Sequence, residues 1–138
     1  MSTAPVRYML DTNIASNIIR STNNAVRARL QASQPAQMCI SSVTEGELLF
    51  GLAKKPQASA LREAVQSFLL HVEVLPWGRQ AAAAYGTLRA ALELGGTPMG
   101  NLDTMIAAHA LAAGCTLVSH DRALVRVAGL EVEDWAQA

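Results

Sequence analysis

Charge is scarce in this sequence of 138 residues: Asp, Glu, Lys and Arg together make up 16% of it, against about 25% in ordinary soluble domains. The eleven basic and eleven acidic residues cancel, so no polycationic tail waits for nucleic acid. Lysine is reduced to Lys54 and Lys55, and cysteine to Cys39 and Cys115. Two cysteines make neither a metal cage nor a disulfide framework, and each sits in an apolar run (38–40 and 115–118), which suggests buried thiols in a reducing cytoplasm. Arg7 and Asp11 interrupt the apolar core that a secretory leader needs. No window approaches the roughly 20 apolar residues of a membrane span without glycine, histidine or charge, so no membrane partner is expected. What the chain does have is hydrophobic residues, at 51%. That excludes disorder and suits one domain over residues 1–138.

Strand-like runs alternate with longer helical ones. Val6 to Leu10 reads as a strand, with a helix from Thr12 to Arg20 and another around Val26 to Leu30. Gln37 to Ser41 is a second strand. Ser42-Val43-Thr44-Glu45 then has capping-box spacing, with Glu45 at the third helical position, and Pro56 stops that helix after Lys55. Further helices are expected over 58–70, over 79–94 closed by Gly95-Gly96, and over 102–113 capped by Asn101 and ended by Gly114. Strands fall at 72–75 and 115–119, a short helix at 121–128, and a last edge strand at 130–132. Strands separated by helices cannot pair as hairpins. The expectation is therefore an α/β fold: a mostly parallel sheet of about five strands with helices on both faces.

In such a sheet, sites form outside the carboxyl ends of the strands. The chain has four aspartates, and three fall at boundaries of that kind. Asp11 follows the first strand, Asp121 follows the fourth by two residues, and Asp103 lies in the first turn of the helix preceding it. Each also has a purely structural reading: Asp11 and Asp121 as helix caps, Asp103 as a first-turn acid favoured by the helix dipole. Glu45 has a sufficient role in the capping box. Glu47, one turn deeper with Gly51 beside it, has none.

Converging carboxylates repel one another and need a counter-charge. With few nitrogen or sulfur donors nearby, a hard divalent ion such as Mg²⁺ or Mn²⁺ fits better than Zn²⁺. An acid pocket with an open metal position suggests phosphoryl or phosphodiester chemistry.

Four blocks carry a resemblance: Met9-Leu10-Asp11-Thr12-Asn13; Ile40 to Gly51 with Glu47-Leu48-Leu49-Phe50-Gly51; Asn101-Leu102-Asp103-Thr104-Met105-Ile106-Ala107-Ala108-His109-Ala110; and Thr116-Leu117-Val118-Ser119-His120-Asp121. In this order and spacing the chain resembles PIN-domain proteins, and more narrowly the VapC-type and FitB-like toxins of bacterial toxin–antitoxin pairs. The resemblance spans nearly the whole chain and selects Glu47 over Glu45. It implies a three-layer fold and an endoribonuclease toxin dependent on Mg²⁺ or Mn²⁺, which cleaves structured RNA such as tRNA and inhibits translation. Asp11 and Asp103 would be the principal metal ligands, Asp121 would complete the metal site, and Glu47 would orient or deprotonate water. Many relatives have asparagine where Asp121 stands. Ser119 would bond an acid or a phosphate, and Arg122 is the best phosphate contact among Arg20, Arg27, Arg29, Arg122 and Arg126. Partners implied are a VapB-like antitoxin, RNA, a second copy in a homodimer, and operator DNA in a larger assembly.

Other readings meet obstacles. A haloacid-dehalogenase-like phosphatase needs an acid two positions after the nucleophile, where Asn13 stands, and both it and a receiver domain need a site lysine. His120 and His71 read as surface histidines, and His109 as helix packing or dimer surface. A FitB-like protein acting mainly within a DNA-bound repressor complex is the alternative function.

Overall fold

The computed structural model describes residues 7–20 and 37–135; the start of the first expected strand at Val6 and the expected helix at 26–30, with Arg27 and Arg29, lie outside them. The elements are β1 (Tyr8–Leu10), α1 (Thr12–Arg20), β2 (Met38–Ser41), α2 (Ser42–Ala53), α3 (Ser59–His71), β3 (Glu73–Leu75), α4 (Arg79–Leu94), α5 (Asn101–Ala113), β4 (Thr116–Val118), a short 3-10 helix (Arg122–Arg126) and β5 (Val132–Glu133). The strands form one sheet of order β3-β2-β1-β4-β5. Every pair is parallel, because each connection is a crossover too long for a hairpin.

Alternation along the strands splits the core in two. Leu10, Ile40 and Val118 face one way and pack with Ile14 and Ala15 of α1, Leu48 and Leu52 of α2, and Val65 and Phe68 of α3. Met9, Cys39 and Leu117 face the other way, against Leu88 of α4 and Ile106, Ala107, Ala108 and Ala110 of α5. The result is three layers, with β1 central. Ala107, Ala108 and Ala110, three of the five alanines of α5, are fully buried, so small side chains bring that helix close to the sheet.

Several element boundaries differ from the sequence reading. The cap of α2 is Ser41, whose Oγ accepts from Val43 N–H at 3.1 Å, so Glu45 falls one position beyond a capping box. Ser42 is already helical, and its Oγ instead accepts from Trp77 N–H at 3.0 Å. Asn101 is the first residue of α5 rather than its cap; Gly100 holds that place with extended backbone, and its carbonyl accepts from Thr104 N–H at 3.0 Å. The segment after Asp121 winds as a five-residue 3-10 helix rather than running to 128, since only Leu124 within it is buried. The last strand starts two residues later than expected, at Val132. At the end of α5, Gly114 has φ +68°, with Gly114 N–H bonded to Leu111 O and Cys115 N–H to Ala110 O. This is the Schellman closure that favours glycine.

Candidate active site

Asp11 sits where β1 ends between its two neighbours. Its N–H donates to Val118 O at 3.1 Å, and its Oδ1 accepts from Ile14 N–H at 2.8 Å, so it does cap α1. The carboxylate is 7% exposed. Burial pushes its pKa up, and Asp103 adds to the rise; bonds from the Ser119 side chain and Ile14 N–H, and the nearby His120, oppose it without cancelling it. A buried carboxylate held above its ordinary pKa is one whose negative charge lacks a sufficient partner.

Ser119, 1% exposed, connects two of the expected acids. Its Oγ accepts from Asp121 N–H at 3.0 Å, while its hydroxyl is hydrogen-bonded to Asp11. Asp121 caps the 3-10 helix, with Oδ1 accepting from Ala123 N–H at 3.0 Å. Asp103 is exposed in the first turn of α5, and its pKa is raised by partial burial and then by the charge of Asp121. The three aspartates thus act on one another in a chain, Asp11 with Asp103 and Asp103 with Asp121. Among the described residues, no Lys or Arg forms an ion pair with any of them.

Glu47 stands apart from that chain. It lines a groove of about 130 Å³ between α1, α2 and α3, together with Thr12, Ser16, Leu48, Lys54 and Lys55. Nothing lies within 4 Å of a Cβ built at Gly51, so one turn along α2 the space beside Glu47 is open. The groove is joined to the aspartates through Thr12, next to Asp11, whose Oγ1 donates to Thr44 Oγ1 at 3.3 Å. Lys54 and Lys55, the chain's two lysines, line the same groove as Glu47. His120 and Arg122 are exposed beside Asp121. His109 is neither solvated nor on an outer face: it is 4% exposed, and its Nδ1 lies 2.8 Å from Ser41 Oγ.

The PIN domain family matches residues 8–130. The chain belongs to the PIN-domain family, in its VapC branch. This PIN domain is 38% identical over 132 residues to the tRNA(fMet)-specific endonuclease VapC of Shigella flexneri, spanning 95% of this chain and 99% of that one. It is 34% identical to ribonuclease VapC of Haemophilus influenzae over 94% of this chain and 98% of that one. Among solved structures it resembles the DNA-bound VapBC of Salmonella typhimurium, with TM-score 0.87, 36% identity and coverage of 95% and 99%. It also resembles FitAcB of Neisseria gonorrhoeae, with TM-score 0.85, 25% identity and coverage of 95% and 99%.

The donor set bears on the metal expected from the sequence. Among the described residues, no three His, Cys, Asp or Glu side chains are grouped closely enough to hold an ion. Zn²⁺ needs such a cage, whereas Mg²⁺ is bound through one or two carboxylates and keeps several waters. Asp11 and Asp103 supply two hard oxygen donors with unbalanced charge, so these residues fit Mg²⁺ or Mn²⁺. No helix among the described residues is long and apolar enough to cross a membrane.

Proposed function

We propose that this PIN domain is a Mg²⁺- or Mn²⁺-dependent endoribonuclease, the toxin of a toxin–antitoxin pair, that inhibits translation by cutting structured RNA. The observation that carries the reading is Asp11, a buried carboxylate within reach of the charge of Asp103 that forms no ion pair with Lys or Arg among the described residues. Asp11 and Asp103 would hold the ion, with Asp121 at the margin of the site. The bound ion would supply charge screening at the scissile phosphate and a more acidic water.

The chain's own groups have separable tasks. The Ser119 hydroxyl and Ile14 N–H both bond the Asp11 carboxylate and favour its ionised form. Asp121, already turned toward the 3-10 helix by its bond to Ala123 N–H, adds negative potential at Asp103. Glu47 lines the open groove beside Gly51, and serves to orient or deprotonate the attacking water. Arg122, exposed next to Asp121, is placed to meet a phosphate of the substrate strand.

The two named VapC relatives support RNA as substrate, and the complexes of VapBC and FitAcB support an antitoxin partner. The groove of Glu47 has apolar walls in Ile19, Leu48, Leu61 and Val65, and Leu49 and Phe50 are exposed on the same helix. An amphipathic antitoxin segment fits there. The VapBC and FitAB complexes bound to DNA support a second role in a repressor assembly on operator DNA; a homodimer of the toxin is proposed from the family resemblance alone.

Cleavage of a tRNA mixture by metal-stripped protein, before and after reloading with Mn²⁺, tests the reading. Cleavage only after reloading is expected. Equal cleavage in both samples, or none in either, would refute metal-dependent nuclease action.

A further inference from the structure

A closed loop of hydrogen bonds ties the start of α2 to the middle of α5, and no acid takes part in it. Ser42 Oγ accepts from Trp77 N–H at 3.0 Å. The Trp77 indole Nε1–H donates to Met105 O at 3.0 Å. One helical turn later on α5, His109 Nδ1 meets Ser41 Oγ at 2.8 Å, and Ser41 adjoins Ser42. Ser41, His109 and Trp77 are buried or half-buried, so each bond is sheltered from competing water.

The loop sits among the residues that carry the acids. Continuing the β1–β2 register of Met9 with Cys39 by two residues places Ser41 level with Asp11, on the α5 side of the sheet. Met105 is two residues after Asp103, and Glu47 is on the second turn of the helix that Ser41 caps. Burial holds the His109 pKa below its ordinary value, which keeps the ring neutral. With Ser41 Oγ already accepting from Val43 N–H, the Ser41 hydroxyl is then free to donate to His109 Nδ1.

We propose that Ser41, Ser42, Trp77 and His109 are positioning residues that set the offset of α2 against α5, and so fix the spacing of the metal-binding pair Asp11 and Asp103 and the place of the Glu47 groove beside it. The proposal rests on the reading of a metal-dependent nuclease: kcat and KM report on the nuclease, and Mn²⁺ affinity on the metal site. A misplacement of about 1 Å in such a site is enough to cost on the order of a hundredfold in rate. Packing alone would not need three directional bonds between partners so far apart in sequence.

The test uses the full chain with Trp77→Phe, His109→Leu, His109→Asn and the Trp77→Phe/His109→Leu double variant. Trp77→Phe keeps an aromatic ring and removes only the indole donor, so it carries the test if His109→Leu fails to fold. Readouts are Mn²⁺ affinity of the metal-free protein by electron paramagnetic resonance, kcat and KM on RNA, and thermal melting. Trp77→Phe and His109→Leu should each weaken Mn²⁺ binding and lower kcat by about tenfold or more, with KM little changed. His109→Asn should recover most of the loss, since its amide oxygen can take the Ser41 proton in place of Nδ1. The double variant should lose little more than either single one, because a loop opened once is already open. Lower melting temperature with wild-type Mn²⁺ affinity and kcat would overturn the proposal, as would fully multiplicative losses or a failed rescue by His109→Asn. Wild-type protein that binds Mn²⁺ yet cuts no RNA would refute the nuclease reading, while the Mn²⁺ arm would still judge the loop. Wild-type protein that binds no Mn²⁺ would overturn both.

Discussion

Ser119 and Asp11 are hydrogen-bonded across the β1–β4 pair, with Ser119 also accepting from the Asp121 backbone. The serine therefore holds the central carboxylate from one side and the Asp121 turn from the other. Ser119→Ala should lower Mn²⁺ affinity or cleavage by about 10–100-fold, the usual effect of losing a group that orients a metal ligand. The bond lowers the Asp11 pKa, so its loss raises that pKa further, and the acid limb of the pH–rate profile should move to higher pH. An unmoved limb would detach Ser119 from Asp11 function.

Asp11→Asn should abolish cleavage while preserving the fold, since an amide oxygen can still accept from Ile14 N–H. The native pKa of Asp11 is raised, so just above the ordinary carboxylate value the folded state binds more protons than the unfolded one. Stability of the metal-free protein therefore falls as pH rises through the native pKa, and returns on acidification. Melting curves of metal-free protein should show this slope in the wild type and a weaker one in Asp11→Asn, which should melt higher at neutral pH. An identical slope in both would mean that Asp11 is not the group responsible.

Glu47→Gln should cost about 10²–10⁴-fold in kcat if this side chain handles the proton of water. Glu45→Gln should change little, because Ser41 caps α2 without it. Cleavage rates of the two variants on one RNA separate the roles, and a larger loss at Glu45 would reverse the assignment.

Gly114→Ala meets no neighbouring atom, yet must hold φ +68°. It should destabilise the fold by about 1–2 kcal/mol through backbone strain alone. Gly114→Asn should cost less, because asparagine tolerates this region. Urea unfolding of both variants checks the order.

Bound antitoxin and Mn²⁺ should compete if the antitoxin places a basic side chain among the aspartates, whose charge no Lys or Arg ion pair offsets among the described residues. Each would then weaken the other by the same factor. Mn²⁺ titration of free protein and of the complex decides the point; equal affinities would mean that the antitoxin acts by covering the RNA surface.

What the sequence shows clearly are features that local pattern determines. The apolar runs around Met9, Ile40 and Leu117 mark the strands, and the crossovers between them make the sheet parallel. Asp11, Asp103 and Asp121 are visible as acids at element boundaries, where cap and site readings coincide: Asp11 and Asp121 do cap, and still join one electrostatic chain. Cap positions were less legible, because Ser41 and Ser42 are both competent and only the distant partners Trp77 and His109 decide which serine does what. The loop through Trp77 has no sequence signature at all. Its members are separated by 28, 35 and 68 residues, and nothing local distinguishes Trp77 from an ordinary core aromatic or His109 from a neutral packing residue.

The buried alanines of α5 act as a spacing gauge. Their methyl groups set how near the Asp103 helix lies to the sheet, and a close-packed interior passes any added volume on as displacement rather than absorbing it. Enlarging Ala107, Ala108 or Ala110 would lift that helix and carry Asp103 away from Asp11. Inactivating substitutions would then trace a line of small residues running back from the acids, in positions that no ligand or substrate atom reaches.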